Sequence, residues 1–341
     1  MSDGPLQVAI LYNASTLPPG HPDHAAEAEV GAVAEAIAAS LAGAGFHVWE
    51  VAAGKSVDTL LRRLIDPRPD VVFNLIEAFA GRSAGEAHVT GLLELLGLAY
   101  TGCPPNAQAL GHSKSRTKAL LRGAGLPTAA FALVRPGDPV PAWPGPWPAI
   151  VKPDAEDASL GIGQASVVEG PDDLADAVDR LRASHPGDVL VEAYLPGREF
   201  NVGLLGLPEL AALPVAEIVY DLPGDQWPIL TYDAKWAEGS PADLGSVPEC
   251  PADIPPALAT ELAALAVAAG RITGCRDYAR VDCRLDADGR PMILEVNPNP
   301  AVGPDAGWAR AVRASGEEYD FVLAALVNQA YHRAERGRHG G

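Results

Sequence analysis

The sequence is poor in lysine and in positive charge. Its 25 basic residues include only five lysines, against 44 acidic residues, and the net charge is −19. A chain with this excess of negative charge is repelled by nucleic-acid phosphates and by anionic lipids. The composition therefore excludes sequence-independent binding to nucleic acid and binding to an anionic membrane surface.

Long apolar runs and metal-type cysteine motifs are absent as well. No apolar stretch is long enough to cross a bilayer without an interrupting charge. The short apolar run near the N-terminus lacks a preceding basic segment, so it predicts a first strand rather than a signal peptide. The four cysteines have no metal-ligand spacing and are expected to be reduced, buried, small apolar residues. We therefore expect a cytoplasmic protein.

The order of predicted elements indicates three units. At 341 residues, of which 48% are hydrophobic, the chain can hold two or three domains. The first unit is predicted as a doubly wound α/β domain, with strands at 6–12, 47–51, 70–76 and 99–101 and helices at 25–45 and 85–97. The second is predicted with a helix at 113–125, a strand at 148–152, a loop at 154–163, a helix at 171–184 and a strand at 188–192. The third has strands around 201–205 and 214–219, a polar excursion at 221–248, a helix at 257–273, a hairpin and a closing helix at 316–335.

The hairpin is the most informative of these elements. Two runs of alternating apolar residues, 278–285 and 290–297, flank an Asp-Gly pair that is typical of a two-residue turn. With that turn, the numbers of paired residues sum to 577, so Asp282 lies opposite Glu295.

Four polar side chains share one face of this predicted hairpin, because side chains alternate between faces along a strand. They are Arg280, Asp282, Glu295 and Asn297. Facing carboxylates repel each other unless a cation lies between them, and an all-oxygen set suits magnesium that bridges nucleotide phosphates. The alternative is a solvent-facing side of an ordinary hairpin, with Arg280 paired to one carboxylate.

Polar residues at two other predicted strand ends fit a nucleotide. Lys152 ends a strand and precedes a loop with Ser159 and two glycines, where backbone N–H groups can approach phosphate oxygens. Glu192 and Glu199 are suited to accept hydrogen bonds from an adenine amino group and from ribose hydroxyls. Each segment alone is equally compatible with an ordinary turn or with surface glutamates.

The small number of lysines is a further indication of phosphate binding. A lysine that persists in a lysine-poor chain is expected to do what arginine cannot, such as placing a compact ammonium on a phosphate. Lys55 and Lys118 are interpreted as compositional accidents.

The order of these segments resembles that of the ATP-grasp superfamily, in its D-alanine–D-alanine ligase branch. The motifs that carry the resemblance are AEAEV, GLLELLGLAYTG, SKSRTK, IVKP, VEAYLPGREF, YDAKW and RVDCRLDADGRPMILEVNPNP. The resemblance extends from about Leu6 to Ala330 and implies an α/β, three-domain ATP-grasp architecture with the nucleotide between the last two domains. The expected domains are an N-terminal doubly wound α/β substrate domain at 1–112, a central α+β subdomain at 113–195, and a C-terminal α+β subdomain at 196–341 with a mobile lid at 221–248.

The resemblance also implies roles for individual residues. Lys114 and Lys152 match lysines that contact ATP phosphates from two sides of the cleft, and Lys235 matches a lid lysine that closes on the terminal phosphate. On the adenine and ribose side, the matching residues are Glu192, Tyr194, Leu195 and Glu199. At the reaction centre, they are Asp282, Glu295 and Asn297 as magnesium ligands and Arg280 as the stabiliser of an oxyanion.

The chemistry that the resemblance implies is carboxylate activation by ATP with two Mg²⁺ ions, which Mn²⁺ can replace. A carboxylate attacks the γ-phosphorus to give an acyl phosphate and ADP, and an amine then attacks the acyl carbon. The lid excludes water, which would otherwise hydrolyse the acyl phosphate.

The residues expected to face the first substrate differ from those of the D-alanine–D-alanine ligase branch. The branch has a hydrogen-bonded Glu–Ser–Tyr set there. Its glutamate is retained as Glu27, its serine position is Ala158 with Ser159 next to it, and its tyrosine position is Trp236. The polar set is therefore expected to be incomplete.

The residues expected to face the second substrate also differ from those of the branch. The branch serine that receives the carboxylate of this substrate is replaced by Ala306, and Asp305 stands beside it. An acid there is expected to repel a carboxylate. In the N-terminal domain Glu86 is retained, without the histidine that often precedes it in the branch.

These observations lead to one hypothesis and two alternatives. We expect an ADP-forming ligase that joins a small amino or carboxylic acid to an amine and has an altered substrate pocket. The alternatives are a genuine D-alanine–D-alanine ligase of cell-wall synthesis and a catalytically silent nucleotide-binding sensor. The expected partners are small-molecule substrates, without nucleic acid or membrane, and the family precedent predicts a homodimer through the N-terminal domain.

Overall fold

The computed structural model describes residues 4–14, 24–140, 142–155 and 159–339, apart from the side chains of 24–29 and 338–339. Within these ranges the chain forms three sheets, one in each predicted unit. No helix in the described part is both long and apolar enough to cross a membrane. All four cysteines are free, as expected, and two of them, Cys103 and Cys283, are buried.

The N-terminal sheet is parallel and has the order β2-β1-β3-β4. Its strands are β1 (Gln7–Asn13), β2 (His47–Ala53), β3 (Val71–Leu75) and β4 (Ala99–Tyr100), and its helices are α1 (His24–Gly43), α2 (Val57–Ile65) and α3 (Gly85–Leu95). The doubly wound prediction is thus confirmed, but α2 was missed. Its signal is present in the sequence, since Ser56 caps the helix and Leu60 and Leu64 lie four residues apart on its buried face.

The central sheet is antiparallel, with the order β5-β8-β6-β7. Its strands are β5 (Phe131–Val134), β6 (Ala149–Pro153), β7 (Val167–Val168) and β8 (Val189–Ala193), and the helices of this unit are α4 (Pro105–Gly111), α5 (Lys114–Gly123) and α6 (Pro171–Ser184). Buried leucine, valine and alanine side chains of α6 pack on this sheet.

The C-terminal sheet supplies the second wall of the cleft. Its order is β12-β11-β9-β13-β14, with β10 added beside β9. The strands are β9 (Glu199–Gly206), β10 (Leu210–Ala212), β11 (Ala216–Tyr220), β12 (Ser246–Glu249), β13 (Tyr278–Leu285) and β14 (Pro291–Asn297). The helices are α7 (Tyr232–Trp236), α8 (Pro241–Leu244), α9 (Pro256–Thr273), α10 (Gly307–Ala314) and α11 (Tyr319–His339).

The hairpin β13–β14 has the predicted facing pair, but its turn and part of its register differ from the prediction. Asp282 does pair with Glu295, and Arg280 with Asn297. The turn, however, spans three residues, because Asp286 pairs with Arg290 and Gly289 adopts a φ of 79°. The register shifts between Asp282 and Cys283, where β14 carries a bulge. The predicted two-residue turn was therefore wrong, and the bulge restores the predicted register at the site.

The closing helix α11 packs against the N-terminal sheet. Leu323 and Leu326 of α11 share one buried cluster with Val8 and Phe73 of that sheet. Arg333 forms an ion pair of 2.7 Å with the buried Asp277. The helix that follows the C-terminal sheet in sequence thus covers one face of the first domain.

Candidate nucleotide and metal site

A cavity of ≈ 160 Å³ lies between the central and C-terminal sheets. Its lining includes most of the predicted nucleotide and metal residues: Lys152, Ser159, Glu192, Tyr194, Leu195, Glu199, Lys235, Arg280, Asp282 and Glu295. They converge because β6, β8, β9, β13 and β14 bring their polar positions to the same cleft. The nucleotide position predicted between the last two domains coincides with this cavity.

The carboxylate of Asp282 is held by two donors. The Arg280 guanidinium binds both of its oxygens, at 2.7 and 2.8 Å, and the Asn201 amide donates to Oδ1 at 2.8 Å. Burial raises the pKa of Asp282, and the neighbouring guanidinium only partly offsets this effect. The alternative pairing of Arg280 with one carboxylate is therefore present in the structure.

Glu295, opposite Asp282, faces several cations. Burial raises the pKa of its carboxyl, but Lys114, Lys152, Arg280 and Lys235 together outweigh burial and lower this pKa to about 2. Glu295 is therefore ionised at neutral pH and ready to act as a ligand.

The donor chemistry of this face fits magnesium held jointly with phosphates. The described residues contain no cluster of three or more histidine, cysteine, aspartate or glutamate side chains that could hold a metal alone. The predicted set has two carboxylates and Asn297, whose amide oxygen accepts a hydrogen bond of 2.8 Å from the Asn299 N–H. Magnesium commonly takes one or two protein carboxylates and completes its shell with substrate phosphates and water.

Lys114 approaches Glu295 from the start of α5. Its ammonium lies 3.7 Å from Oε2 of Glu295. The start of α5 is fixed by Asp154, whose side chain accepts hydrogen bonds of 2.8 Å from the Ser113 hydroxyl and 2.7 Å from the Ser115 N–H. Asp154 follows β6 directly, so one buried acid joins the two segments that carry Lys114 and Lys152. The sequence reading missed it, although an aspartate stands directly after the IVKP motif.

Glu192 is buried between two lysines. Lys152 lies 2.6 Å from one carboxylate oxygen, and Lys118 contacts the other. Burial raises the pKa of Glu192, and the two ammonium groups outweigh it, so the pKa is lowered. The interpretation of Lys118 as a compositional accident was wrong, because its side chain is 0% exposed and pairs with the predicted adenine-side acid.

Glu199 is held by residues that the sequence reading did not identify. Its Oε2 accepts a hydrogen bond of 2.8 Å from the Tyr220 hydroxyl and one of 3.1 Å from Arg284. Arg284 also lies over the Tyr194 ring, with 5.1 Å between the guanidinium carbon and the ring centroid. Burial raises the pKa of Glu199 despite this arginine. A signal for Arg284 was a charged residue within the apolar strand β13, two positions after Asp282.

Three residues of the segment 221–248, which is predicted to be a lid, line the cavity: Ile229, Leu230 and Lys235. The Tyr232 N–H donates to the Ile162 carbonyl at 3.0 Å, and the Gln164 side chain exchanges two hydrogen bonds with the Trp227 backbone. This segment thus contacts the loop that follows Lys152. Lys235 lies on this segment, and desolvation and the nearby Arg280 guanidinium lower the pKa of its ammonium.

Comparison with known proteins gives the family. Residues 120–328 match the family described as D-ala D-ala ligase C-terminus. Over 296 residues the chain is 33% identical to a D-alanine–D-alanine ligase of Acidiphilium cryptum, covering 86% of this chain and 91% of that protein. This chain belongs to the D-alanine–D-alanine ligase family.

This family member is also similar to an uncharacterized protein and to a solved structure. It is 34% identical over 312 residues to the uncharacterized protein y4sG of Sinorhizobium fredii, covering 89% of this chain and 88% of that protein. The D-alanine–D-alanine ligase of Bacillus anthracis, solved as a complex with ATP, has a TM-score of 0.75 at 17% identity, covering 97% of this chain and 99% of that chain. This structural likeness confirms the predicted ATP-grasp fold.

A second cavity shares Lys235 and Arg280 with the first. We name the first the nucleotide cavity and the second the acceptor cavity, after the roles that we propose for them below. The acceptor cavity measures ≈ 330 Å³ and is otherwise lined by β9, β11, the lid and α10. Its other charged residues are Asp243 and Arg310. Ser246 also lines it, and within the described residues its buried hydroxyl has no hydrogen-bond partner.

A third cavity, the apolar cavity, measures ≈ 190 Å³ and lies between the N-terminal domain and the lid. Val33, Leu75, Val302 and the indole of Trp236 line it, with Glu77 as its one acid among the described lining residues. Trp236 is 41% exposed and presents its indole to this cavity.

The remaining predicted substrate residues are Asp305, Glu86 and Glu27. Asp305 is exposed and lines none of these three cavities, and its predicted place beside the acceptor stays a prediction. Glu86 is buried, with one carboxylate oxygen 3.3 Å from the His112 ring. The side chain of Glu27 and the whole of Ala158 lie outside the described residues.

Proposed function

We propose that this family member is an ADP-forming, ATP-dependent carboxylate–amine ligase that works through an acyl phosphate. The observation that carries the proposal is the facing pair Asp282 and Glu295 inside a cavity also lined by Lys152, Lys235 and Arg280. Opposite charges gathered in one cleft are suited to hold a polyphosphate with its metal ions and to stabilise charge that moves during phosphoryl transfer.

Each group has a place in the proposed reaction. Lys152 and Lys235 neutralise phosphate oxygens while a substrate carboxylate attacks the γ-phosphorus. Magnesium, held by Asp282, Glu295 and Asn297, supplies Lewis-acid stabilisation of the phosphate charge when it is bound. Orientation of the nucleotide comes from Glu192 at the adenine and Glu199 at the ribose.

Arg280 links the two halves of the reaction. It lines both the nucleotide cavity and the acceptor cavity, so it can face the acyl carbon when an amine attacks from the acceptor side. A guanidinium there stabilises the oxyanion of the tetrahedral intermediate. The acyl phosphate therefore forms at the junction of the two cavities.

The apolar and acceptor cavities, together the substrate side, support a pocket altered from that of a D-alanine–D-alanine ligase. Trp236 presents an apolar ring where the branch has a hydroxyl. On the acceptor side, Arg310 and Ser246 are the groups suited to bind an anionic or polar part of the acceptor. We propose a small amino or carboxylic acid as donor and an amine other than D-alanine as acceptor.

A screen for ADP release tests this function. Amino acids, small carboxylic acids and amines are offered singly and in pairs with ATP and Mg²⁺, and products are identified by mass spectrometry. The proposal expects ADP release that depends on a pair of substrates and gives an amide. Robust D-alanyl-D-alanine formation would support the genuine ligase instead, and ATP binding without turnover on any pair would support the silent sensor.

A further inference from the structure

Lys118 lies behind the nucleotide cavity and does not line it. Its side chain is fully buried, and its ammonium contacts Glu192, the Thr128 hydroxyl at 2.9 Å and the Ile293 carbonyl at 3.5 Å. The Thr128 hydroxyl itself donates to the Ile293 carbonyl at 2.8 Å. Lys118 is therefore anchored on three sides, away from any ligand in the cleft.

Lys152 contacts the same carboxylate from the opposite side. It lines the cavity, and among the described residues its ammonium pairs only with Glu192, at 2.6 Å. One buried carboxylate thus has two cations, of which one is anchored and the other faces the site of a phosphate. A single acid needs only one counter-ion to remain ionised in a buried position.

We propose that Lys118 is a fixed counter-ion whose function is to release Lys152 from Glu192 when a nucleotide phosphate enters. This proposal rests on the proposed binding of ATP in the cleft. With Lys118 in place, Lys152 leaves behind a complete ion pair between Lys118 and Glu192. Without Lys118, the same movement strips a buried carboxylate of its last cation, which is strongly unfavourable. Lys118 is thus a positioning residue for phosphate binding.

The proposal separates phosphate binding from adenosine binding. In Lys118→Met, which replaces the ammonium by an apolar side chain of similar length, Lys152 stays on Glu192. We expect the affinity for ATP and for ADP to fall by about 30-fold or more, and the affinity for adenosine to remain within about twofold. Isothermal titration calorimetry measures all three ligands. Lys55→Met, which removes an exposed lysine in the N-terminal domain, is the matched control and keeps all three affinities.

A second-site variant tests the cause. In a Glu192→Gln background, residue 192 no longer holds Lys152 by charge, so Lys118→Met is expected to lower ATP affinity by less than about threefold. Equal losses in the two backgrounds, or an equal loss for adenosine and ATP, would show a merely structural role for Lys118 and overturn the proposal.

A measurement on the unmodified protein covers the case in which Lys118→Met does not fold. A crystal structure with Mg²⁺ and a non-hydrolysable ATP analogue is expected to show Lys152 on a phosphate and Lys118 still on Glu192. Lys152 remaining on Glu192 would overturn the proposal. Failure of the unmodified protein to bind ATP would instead contradict the proposed function, so the two failures are distinguishable.

Discussion

The two sides of the cleft differ in how their polar groups are held. On the nucleotide side, Glu192, Glu199 and Asp282 are buried, and each has an ion-pair partner. On the substrate side, which comprises the apolar and acceptor cavities, Trp236 is exposed and the buried Ser246 hydroxyl has no partner among the described residues. Charges in a low-dielectric site require partners of fixed type and position, whereas an apolar wall accepts many side chains. The nucleotide side is therefore the more constrained of the two.

The difference has a structural basis. The nucleotide residues lie mainly on strands of two sheets, which fix their spacing and direction. The acceptor and apolar cavities draw much of their lining from the lid 221–248 and from the segment after β14. Loops on a rigid scaffold can change their side chains without disturbing the core. The comparison predicts that changes on the nucleotide side abolish activity and that changes on the substrate side redirect it.

The largest effect is expected from the facing carboxylates. Asp282→Asn and Glu295→Gln each remove one negative charge opposite the other and should lower turnover by about 1000-fold with the fold retained. Assays of ADP release across a range of Mg²⁺ and Mn²⁺ concentrations measure the loss. Asp288→Asn, an equal charge change at the exposed turn of the same hairpin, is the control and should leave turnover unchanged. Unaltered metal dependence in both carboxylate variants would refute the metal site.

The next largest effect is expected from Lys235, whose replacement should affect turnover, whereas replacement of Lys152 should affect ADP binding. Lys235→Ala should lower turnover by about 100-fold while leaving ADP affinity nearly unchanged, because the lid lysine engages only the terminal phosphate. Lys152→Ala should weaken ADP binding itself. Stopped assays give turnover and calorimetry gives affinity. If both variants lose ADP affinity equally, the lid assignment is wrong.

The hairpin shows how much of this side could be predicted from sequence. The alternation of apolar residues located both strands, and the predicted pairing of Asp282 with Glu295 followed from the assumed two-residue turn. The turn type was wrong, because an Asp-Gly pair serves a two-residue turn and also a three-residue turn with glycine in the left-handed conformation. The bulge at Leu294 is not visible in the sequence pattern. The predicted register at the site was correct only because the longer turn and the bulge compensate each other.

Lys118 and Arg284 show the limit of sequence reasoning on the same side. Both are charged residues in segments that were correctly predicted as helix and strand. Their partners, Glu192 and Glu199, lie 74 and 85 residues away in the chain, and a single sequence contains no distance between them. Chemistry carried by adjacent residues could be predicted, whereas partners that the fold brings together could not.

A smaller effect tests the ribose side. Tyr220→Phe removes the hydroxyl that donates to Glu199. The loss of this hydrogen bond should weaken adenosine and ATP binding alike by about fivefold. Tyr12→Phe is the control, because Tyr12 donates to Glu50 in the N-terminal domain and lines none of the three cavities. A loss for ATP with none for adenosine would place Glu199 on the phosphates instead of the ribose.

The smallest effect concerns the substrate side, where redirection rather than loss is expected. The unmodified protein should release little ADP with D-alanine as the sole substrate at saturating ATP, because Trp236 offers an apolar ring in place of a hydroxyl and leaves polar groups of a small amino acid unmatched. Trp236→Tyr restores one hydroxyl and should raise ADP release with D-alanine by about threefold. Trp143→Tyr makes the same exchange in the central unit, outside the three cavities, and should change nothing. Robust D-alanyl-D-alanine synthesis by the unmodified protein would show that the substrate side is as constrained as the nucleotide side, and the comparison between them would no longer hold.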